Sequence, residues 1–403
     1  MKAIIVGGGI AGPATAVGLQ RAGLSPVVYD AQPADVPVAQ ARGTYLTVAV
    51  NGVSALRALG IDGEVLAGGF PTRDITFFLG DGTPMSTVSV GGERPDGTVT
   101  HTLKRAALSQ NLRQVLDERG IPLVTGRRLV GIRQVGDAVT ADFDDGSVVS
   151  GDILVGADGV HSTVRALIDP DNPVARYSGL LNVGGFTREA AIPLRPGTYH
   201  MVFGKRSFCG YTVSPSGEVW WFANPRSRRH LSHAGLAAVS GDEWRRRLSR
   251  LFAVDATPAA EIIRATAVIA ASNAYDLPPV PTWWRGRVVL VGDAAHAASP
   301  AAGQGASMAF EDAVTLAKCL RDEPGPEAAF ALFERVRRDR VQRVVAQGDR
   351  SSRFKSVRGI ARIVRDRKLP AILRGHAEGG AHSLAWIHRY SVDWASPATV
   401  PAD

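Results

Sequence analysis

Lys2-Ala3-Ile4-Ile5-Val6, a short β-branched run, leads without a break into Gly7-Gly8-Gly9-Ile10-Ala11-Gly12. An apolar run of this length followed by G-x-G-x-x-G predicts a buried strand that ends in a glycine turn. Ala14, Val17, Gly18 and Leu19 then begin a helical pattern that Gly23 ends, and Pro26-Val27-Val28-Tyr29-Asp30 reads as a second strand closing on an acid. In such a unit Gly7 permits the tight turn, Gly9 lets the backbone approach a pyrophosphate, and Gly12 lets the helix pack on the strand. The start of the helix, with Ile10 and Ala11, offers amides and a positive dipole to the phosphate. Asp30, 23 residues after Gly7, can accept hydrogen bonds from both ribose hydroxyls. A glycine turn alone carries little weight; with strand, helix and acid in place, dinucleotide binding is the expectation.

Two further segments refine it. In Gly151-Asp152-Ile153-Leu154-Val155-Gly156-Ala157-Asp158-Gly159, an apolar strand delivers Asp158-Gly159 to a turn, after which Ser162 can cap a helix. In Gly286-Arg287-Val288-Val289-Leu290-Val291-Gly292-Asp293-Ala294-Ala295-His296, a second buried strand ends in Gly-Asp. Ser299-Pro300 and Gly303-Gln304-Gly305-Ala306 follow, and a helix runs on through Glu311-Asp312-Ala313. A second helix N-terminus can turn amides and a positive dipole toward an electron-rich ring system.

These three motifs, in this order and at this separation, resemble those of the single-component FAD-dependent monooxygenases, the p-hydroxybenzoate hydroxylase-like aromatic hydroxylases. The resemblance runs from Met1 to about Gly348. It implies an α/β, Rossmann-like FAD/NAD(P)-binding fold of the glutathione reductase type, with an inserted, mainly antiparallel β-sheet substrate domain and a C-terminal helical tail. It also implies that Gly7, Gly9 and Gly12 hold the FAD pyrophosphate and Asp30 the adenosine ribose, and that Asp293 binds the ribityl or pyrophosphate portion. Pro300 and Gly303 to Ala306, Gly305 among them, would line the isoalloxazine. Asp158 would brace the flavin fold and bear on NAD(P)H use; Arg105 at a helix start, Arg42 before Gly43, and Leu129 in the strand that passes the adenine would contribute further. Two departures stand out: Asp30 replaces the commoner Glu, and Ala297-Ala298-Ser299-Pro300-Ala301-Ala302 makes a smoother flavin-facing wall.

The rest of the chain fits this frame. Its 403 residues suffice for two or three domains, and 45% hydrophobic with 21% charged residues exclude a mainly disordered chain. The 46 Lys+Arg against 38 Asp+Glu give +8, but the basic residues are almost all Arg, thinly spread, with no Lys-rich run; nucleic acid is not an expected partner. Cys209 and Cys319 lie far apart without Cys/His spacing, so neither disulfides nor a metal is expected, and a reduced cytoplasmic setting without a transmembrane segment is. The expected domains are 1–171 with 284–350 for FAD, 172–283 for a sheet that roofs the flavin, and 351–403 as a helical segment. Helices are predicted near 52–60, 105–119, 304–322 and 326–350, with a hairpin turn at Asp144-Asp145-Gly146. Phe203, Phe208, Tyr211, Trp220 and Phe222 are candidates for an aromatic pocket, though strand residues alternate faces and only some can point inward. The arginines from Arg335 to Arg365 read as a solvated helix face rather than a membrane-binding one.

By the resemblance, NADPH or NADH reduces FAD, dioxygen adds at the flavin C4a position, and the resulting hydroperoxide delivers oxygen to an aromatic or polycyclic small molecule. Protein nucleophiles are not required, and no catalytic residue is assigned. His200 and Tyr211 are candidates to ionise a phenol and Arg188 to stabilise a phenolate, while His296 reads as structural. The Arg-over-Lys, Ala-rich composition points to a high-GC bacterium and natural-product metabolism, in a monomer or homodimer. The main rival is an FAD-dependent reductase of the prenyl-reductase kind that inserts no oxygen; a halogenase and a non-catalytic FAD-binding module are weaker.

Overall fold

The computed structural model describes residues 1–33, 45–92, 94–190, 192–299, 302–355, 357, 359–377 and 384–399. Two sheets organise them. A six-stranded sheet runs in the order Trp284–Arg285, Val288–Leu290, Ile153–Gly156, Lys2–Val6, Ser25–Asp30, Leu123–Thr125. All neighbours are parallel except the antiparallel first pair. Lys2–Val6 lies in the interior because helices cover both faces and its Ala3, Ile4 and Ile5 side chains are fully buried. The predicted motif helix is Ala11–Arg21, ended by Gly23 at φ +86°. It packs on the long helix Gly305–Asp322, and buried Val17, Leu19, Phe310, Val314 and Leu316 join one apolar core.

The second sheet has seven strands: Ile269–Asp276, Arg176–Thr187, Val219–Asn224, Phe208–Val213, Thr198–Phe203, Asp74–Leu79 and Pro84–Ser89. It is antiparallel but for the parallel pairing of Thr198–Phe203 with Asp74–Leu79. Two strands from 74–89 thus widen it beyond the 172–283 segment expected to form it, because an edge at Thr198–Phe203 would otherwise leave a row of unpaired backbone groups. One face packs Tyr211, Trp221 and Val213 against the helices Gly241–Phe252 and Ala259–Arg264. The other carries Tyr199, Trp220, Met201, Phe203 and Phe208 toward the remainder of the chain.

A meander of Leu129–Val135, Ala138–Phe143 and Val148–Gly151 turns at Asp144-Asp145-Gly146 as predicted. Helices Val50–Leu59, Arg105–Glu118, Gly305–Asp322 and Pro326–Lys355 fall within a few residues of their expected bounds, and Gly359–Ala377 and Ala385–Arg389 follow. Among the described residues no helix is long and apolar enough to cross a membrane.

The arginine-rich tail departs from expectation. Arg337 is 0% and Arg365 5% exposed, so the tail is not simply a solvated face. Arg337 follows Phe333 by four residues and precedes Val341 by four, placing it on the buried stripe of its helix.

Helix packing at the first turn is tight: a Cβ at Gly12 would lie 1.9 Å from the Gly7 carbonyl oxygen. Gly12→Ala is therefore expected to lower unfolding stability by ~1–3 kcal/mol, read as a lower urea midpoint with an unchanged slope.

Candidate functional site

The glycine turn is held from below and open above. The Gly7 N–H donates to Tyr29 O at 2.7 Å, and with φ +116° and a would-be Cβ 2.3 Å from Ala157 O the position accepts only glycine. Gly9, by contrast, is exposed, and nothing lies within 4 Å of where its Cβ would be. That opening sits two residues before the start of Ala11–Arg21, where unpaired amides favour an anion. Ile10 is half-buried and Ala11 buried beside it. The Asp30 carboxylate stands against the same turn, its Oδ2 2.5 Å from the position of a Gly8 Cβ, and it accepts from Gln32 N and from Arg113 Nη2 at 3.2 Å. Arg113, on the helix Arg105–Glu118, was not foreseen; nothing in its local sequence distinguishes it from a surface arginine.

The third motif adjoins the first. Gly292, at φ +59°, has its would-be Cβ 2.9 Å from the Ala11 methyl. Asp293 is exposed, and its Oδ1 is 3.9 Å from where a Gly305 Cβ would sit, at the first residue of Gly305–Asp322. Gly303, at φ +61°, is exposed, and Ala306 is half-buried. Two helix N-termini therefore meet at one place, each with an open glycine backbone and a nearby acid. These residues fit an anionic dinucleotide: donors face its phosphates and carboxylates can receive its hydroxyls. Arg105 is exposed at the head of its helix, and Leu129 is buried opposite Phe143. Pro300 and Arg42 lie outside the described residues.

Asp158 is engaged by its own helix. It accepts from Ser162 Oγ at 2.5 Å, Thr163 N at 2.7 Å and Val164 N at 3.1 Å, while Ser162 Oγ accepts from Arg165 N. Burial pushes its carboxyl upward against these bonds. Arg165, 3% exposed, then donates to Ala294 O at 3.0 Å and to Val160 O at 2.7 Å, tying the second motif to the third.

Behind the third motif lies a buried charge cluster. Glu311 and Asp312 are both 0% exposed. Arg337 donates through Nη1 to Glu311 at 2.6 Å and through Nε to Asp312 at 2.8 Å, and Arg340 Nη2 reaches Glu311 at 2.7 Å. Asn51 Nδ2 bridges Glu311 at 2.7 Å and Gln304 at 3.0 Å. Asp312 Oδ2 accepts from Gly292 N at 2.8 Å and faces His296 Nε2 at 2.5 Å. Burial would raise Asp312, but His296 and Arg337 prevail and hold it at about 2. His296 is thus turned inward, with its ring 5.4 Å from that of Trp283. Two adjacent acids, Glu311 and Asp312, within the apolar run from Met308 to Leu316 were the sequence signal for this cluster.

The aromatic candidates separate by face. Trp220 clusters with Tyr45, Phe70 and Tyr199, with Phe222 against them, and Thr47 and Thr102 bond the Tyr199 hydroxyl at 3.0 and 3.2 Å. Phe203 and Phe208 lie farther along this face under Leu369 and Leu373. Tyr211 is on the opposite face, 3.2 Å from His200 Nδ1, and belongs to the outer core; strand alternation turns this pair away from the motif turns. Arg188 is spent on Ser216. None of the three proposed phenol-handling residues therefore reaches the motif turns.

A family model described as an FAD binding domain matches residues 1–350. The chain is 34% identical over 354 residues to the FAD-dependent urate hydroxylase of Klebsiella pneumoniae, spanning 86% of this chain and 88% of that protein. It is 31% identical over 357 residues to the aurachin C monooxygenase/isomerase of Stigmatella aurantiaca, spanning 86% and 87%. The solved structure of Klebsiella pneumoniae HpxO complexed with FAD and uric acid superposes with a TM-score of 0.79 at 27% identity, over 94% of this chain and 97% of that one.

Removing Arg337 would leave Glu311 with Arg340 and Asn51 and Asp312 with His296 and Gly292 N, each short of a buried charge-assisted bond. Arg337→Met is expected to cost ~3–5 kcal/mol in chemical unfolding. Asp312 has a folded pKa of about 2 against an ordinary 3.8, so its contribution is complete above pH 4 and is lost as pH falls toward 2. Acid titration of unfolding should show that loss, and Asp312→Asn should flatten it.

Proposed function

The chain belongs to the single-component FAD-dependent monooxygenases, and from that premise we propose that it takes electrons from NADPH or NADH and uses dioxygen to hydroxylate or epoxidise an aromatic or polycyclic small molecule. The observation that carries this reading is the helix N-terminus at Ala11 set against the Gly292 turn, with Asp30 on one side and, on the other, exposed Asp293 near the helix start at Gly305. Gly7, Gly9, Ile10, Ala11 and Gly12 would hold the FAD diphosphate, and Asp30, positioned by Arg113, the adenosine ribose. Asp293, with Gly303, Gly305 and Ala306, would hold the ribityl and ring portion, and Arg105 and Leu129 would flank the nucleotide. In this reading residues 1–171, apart from the two sheet strands within 74–89, and 284–350 serve FAD, 172–283 with those strands serve the substrate, and 351–403 form a C-terminal helical segment.

Bound FAD would supply the redox chemistry: it accepts the hydride and activates dioxygen. The protein binds, orients and keeps water out. Tyr199 and Trp220, 3% and 4% exposed, form a buried aromatic cluster with partly buried Phe222 against it, and this cluster would back the site of a ring substrate. Burial pushes the Tyr199 hydroxyl upward, so it stays protonated and keeps its bonds to Thr47 and Thr102 near neutral pH.

With FAD bound, NAD(P)H-dependent oxygen uptake should rise with substrate, and product formed under ¹⁸O₂ should carry one labelled atom. Flavin reduction with no label in the product would favour the reductase reading instead. Asp30→Ala should weaken FAD binding by ~1.5–3 kcal/mol, roughly ten- to hundredfold, in a fluorescence titration.

A further inference from the structure

The helix Gly359–Ala377 has two unlike sides, and its inner side is pinned to the body of the protein. Leu369 and Leu373 pack with Met85, Phe203 and Phe208. Arg365 donates through Nη2 to Phe203 O at 3.3 Å and through Nη1 to Phe354 O at 3.2 Å. Asp366, the one acid of this helix, is engaged there as well, accepting from Arg365 at 2.6 Å and from Arg362 at 2.7 Å.

The outer side differs from the solvated arginine face that the sequence predicts. Ile360 is 81% exposed, Ile363 and Val364 are 44% and Ile372 is 38% exposed, and every exposed isoleucine among the described residues lies on this helix. Ile360, Ile363, Val364, Arg367, Ala371 and Arg374 recur at intervals that place them on one stripe, about 21 Å from end to end. Lys368 borders it. Arg367, Lys368 and Arg374 are exposed and have no ion-pair partner among the described residues. The strand Pro84–Ser89, on which the helix packs, carries no charged residue.

Aliphatic side chains held in water by a docked helix gain from any apolar cover. The three unpaired cations beside them select a cover that is also anionic, and their long stems can lie on apolar surface while the charged heads stay wet. An anionic phospholipid surface offers acyl chains and negative charge together. A two-fold dimer through the same stripe would set its cations against their own copies.

We propose that the outer stripe of Gly359–Ala377 docks the protein on an anionic phospholipid bilayer, with Ile360, Ile363 and Val364 entering the headgroup boundary and Arg367, Lys368 and Arg374 meeting the anionic headgroups. Attachment is peripheral, and the helix then lies between the lipid and the sheet face that carries Phe203 and Phe208.

The test is sedimentation of the FAD-loaded full chain with vesicles of phosphatidylcholine alone and of phosphatidylcholine and phosphatidylserine at about 3:1. Binding to the mixed vesicles should be at least about tenfold tighter and should weaken as salt is raised. Arg367→Glu with Lys368→Glu should remove that preference while the urea midpoint stays unchanged, whereas Arg228→Glu with Arg229→Glu, the same charge change on an exposed loop, should keep it. Ile360→Ser with Ile363→Ser should weaken binding to the mixed vesicles by about tenfold or more, and carries the test if the charge-reversed protein does not fold. Equal or absent binding to the two vesicles, or a preference that survives Arg367→Glu with Lys368→Glu, would overturn the proposal. So would a lipid-free dimer that Ile360→Ser with Ile363→Ser dissociates, since that assigns the stripe to a second copy of the chain. Sedimentation needs neither substrate nor turnover, so its outcome is separate from that of the oxygen-uptake measurement.

Discussion

The guanidinium of Arg337, wedged between the carboxylates of Glu311 and Asp312, fixes where the third motif can sit. Its three side chains have no access to water, so each charge is tolerable only while the others are in place. Asp312 uses its second oxygen to hold Gly292 N and to face His296, which sets the turn that presents Asp293. Glu311 reaches Asn51 on the helix Val50–Leu59 and, through Arg340, the C-terminal segment. The turn that carries Asp293 is thus shaped from behind, by residues buried beneath it.

The same cluster explains why the C-terminal segment is part of the body of the protein. Arg340 donates to Ile387 O and lies 3.9 Å from the Tyr390 ring centre, Arg343 lies 4.4 Å from that of Trp386, and Arg21 and Arg321 flank Trp394. Lys318 caps the arrangement by donating to Asp393 O and Ser396 Oγ. Stacked guanidinium–aromatic pairs use the planar, weakly hydrated character of arginine, which explains why arginine rather than lysine dominates this region.

The two faces of the seven-stranded sheet divide the labour. The outer face builds a core with its own helices, joined by Trp221 Nε1 donating to Thr266 Oγ1 at 2.8 Å. The inner face gathers Tyr45, Tyr199 and Trp220 in one aromatic cluster and Phe203 and Phe208, with Leu369 and Leu373, in another.

Local features were legible in the chain itself. The G-x-G-x-x-G turn, the acid at Asp30, the two later strand-turn-helix units and the main helices depend on spacing of a few residues, and backbone sterics and hydrogen bonding act over that range. The three motifs also carried the family. Tertiary structure alone decided which arginines are buried, which face of a strand Tyr211 occupies, and that Asp74–Leu79 joins the roof sheet. Arg335 is exposed and Arg337 fully buried on one helix, two residues apart, because burial of a charge depends on whether partners arrive from elsewhere in the chain. Glu311 and Asp312 are 26 and 25 residues away from Arg337, and only packing brings them into hydrogen-bond range.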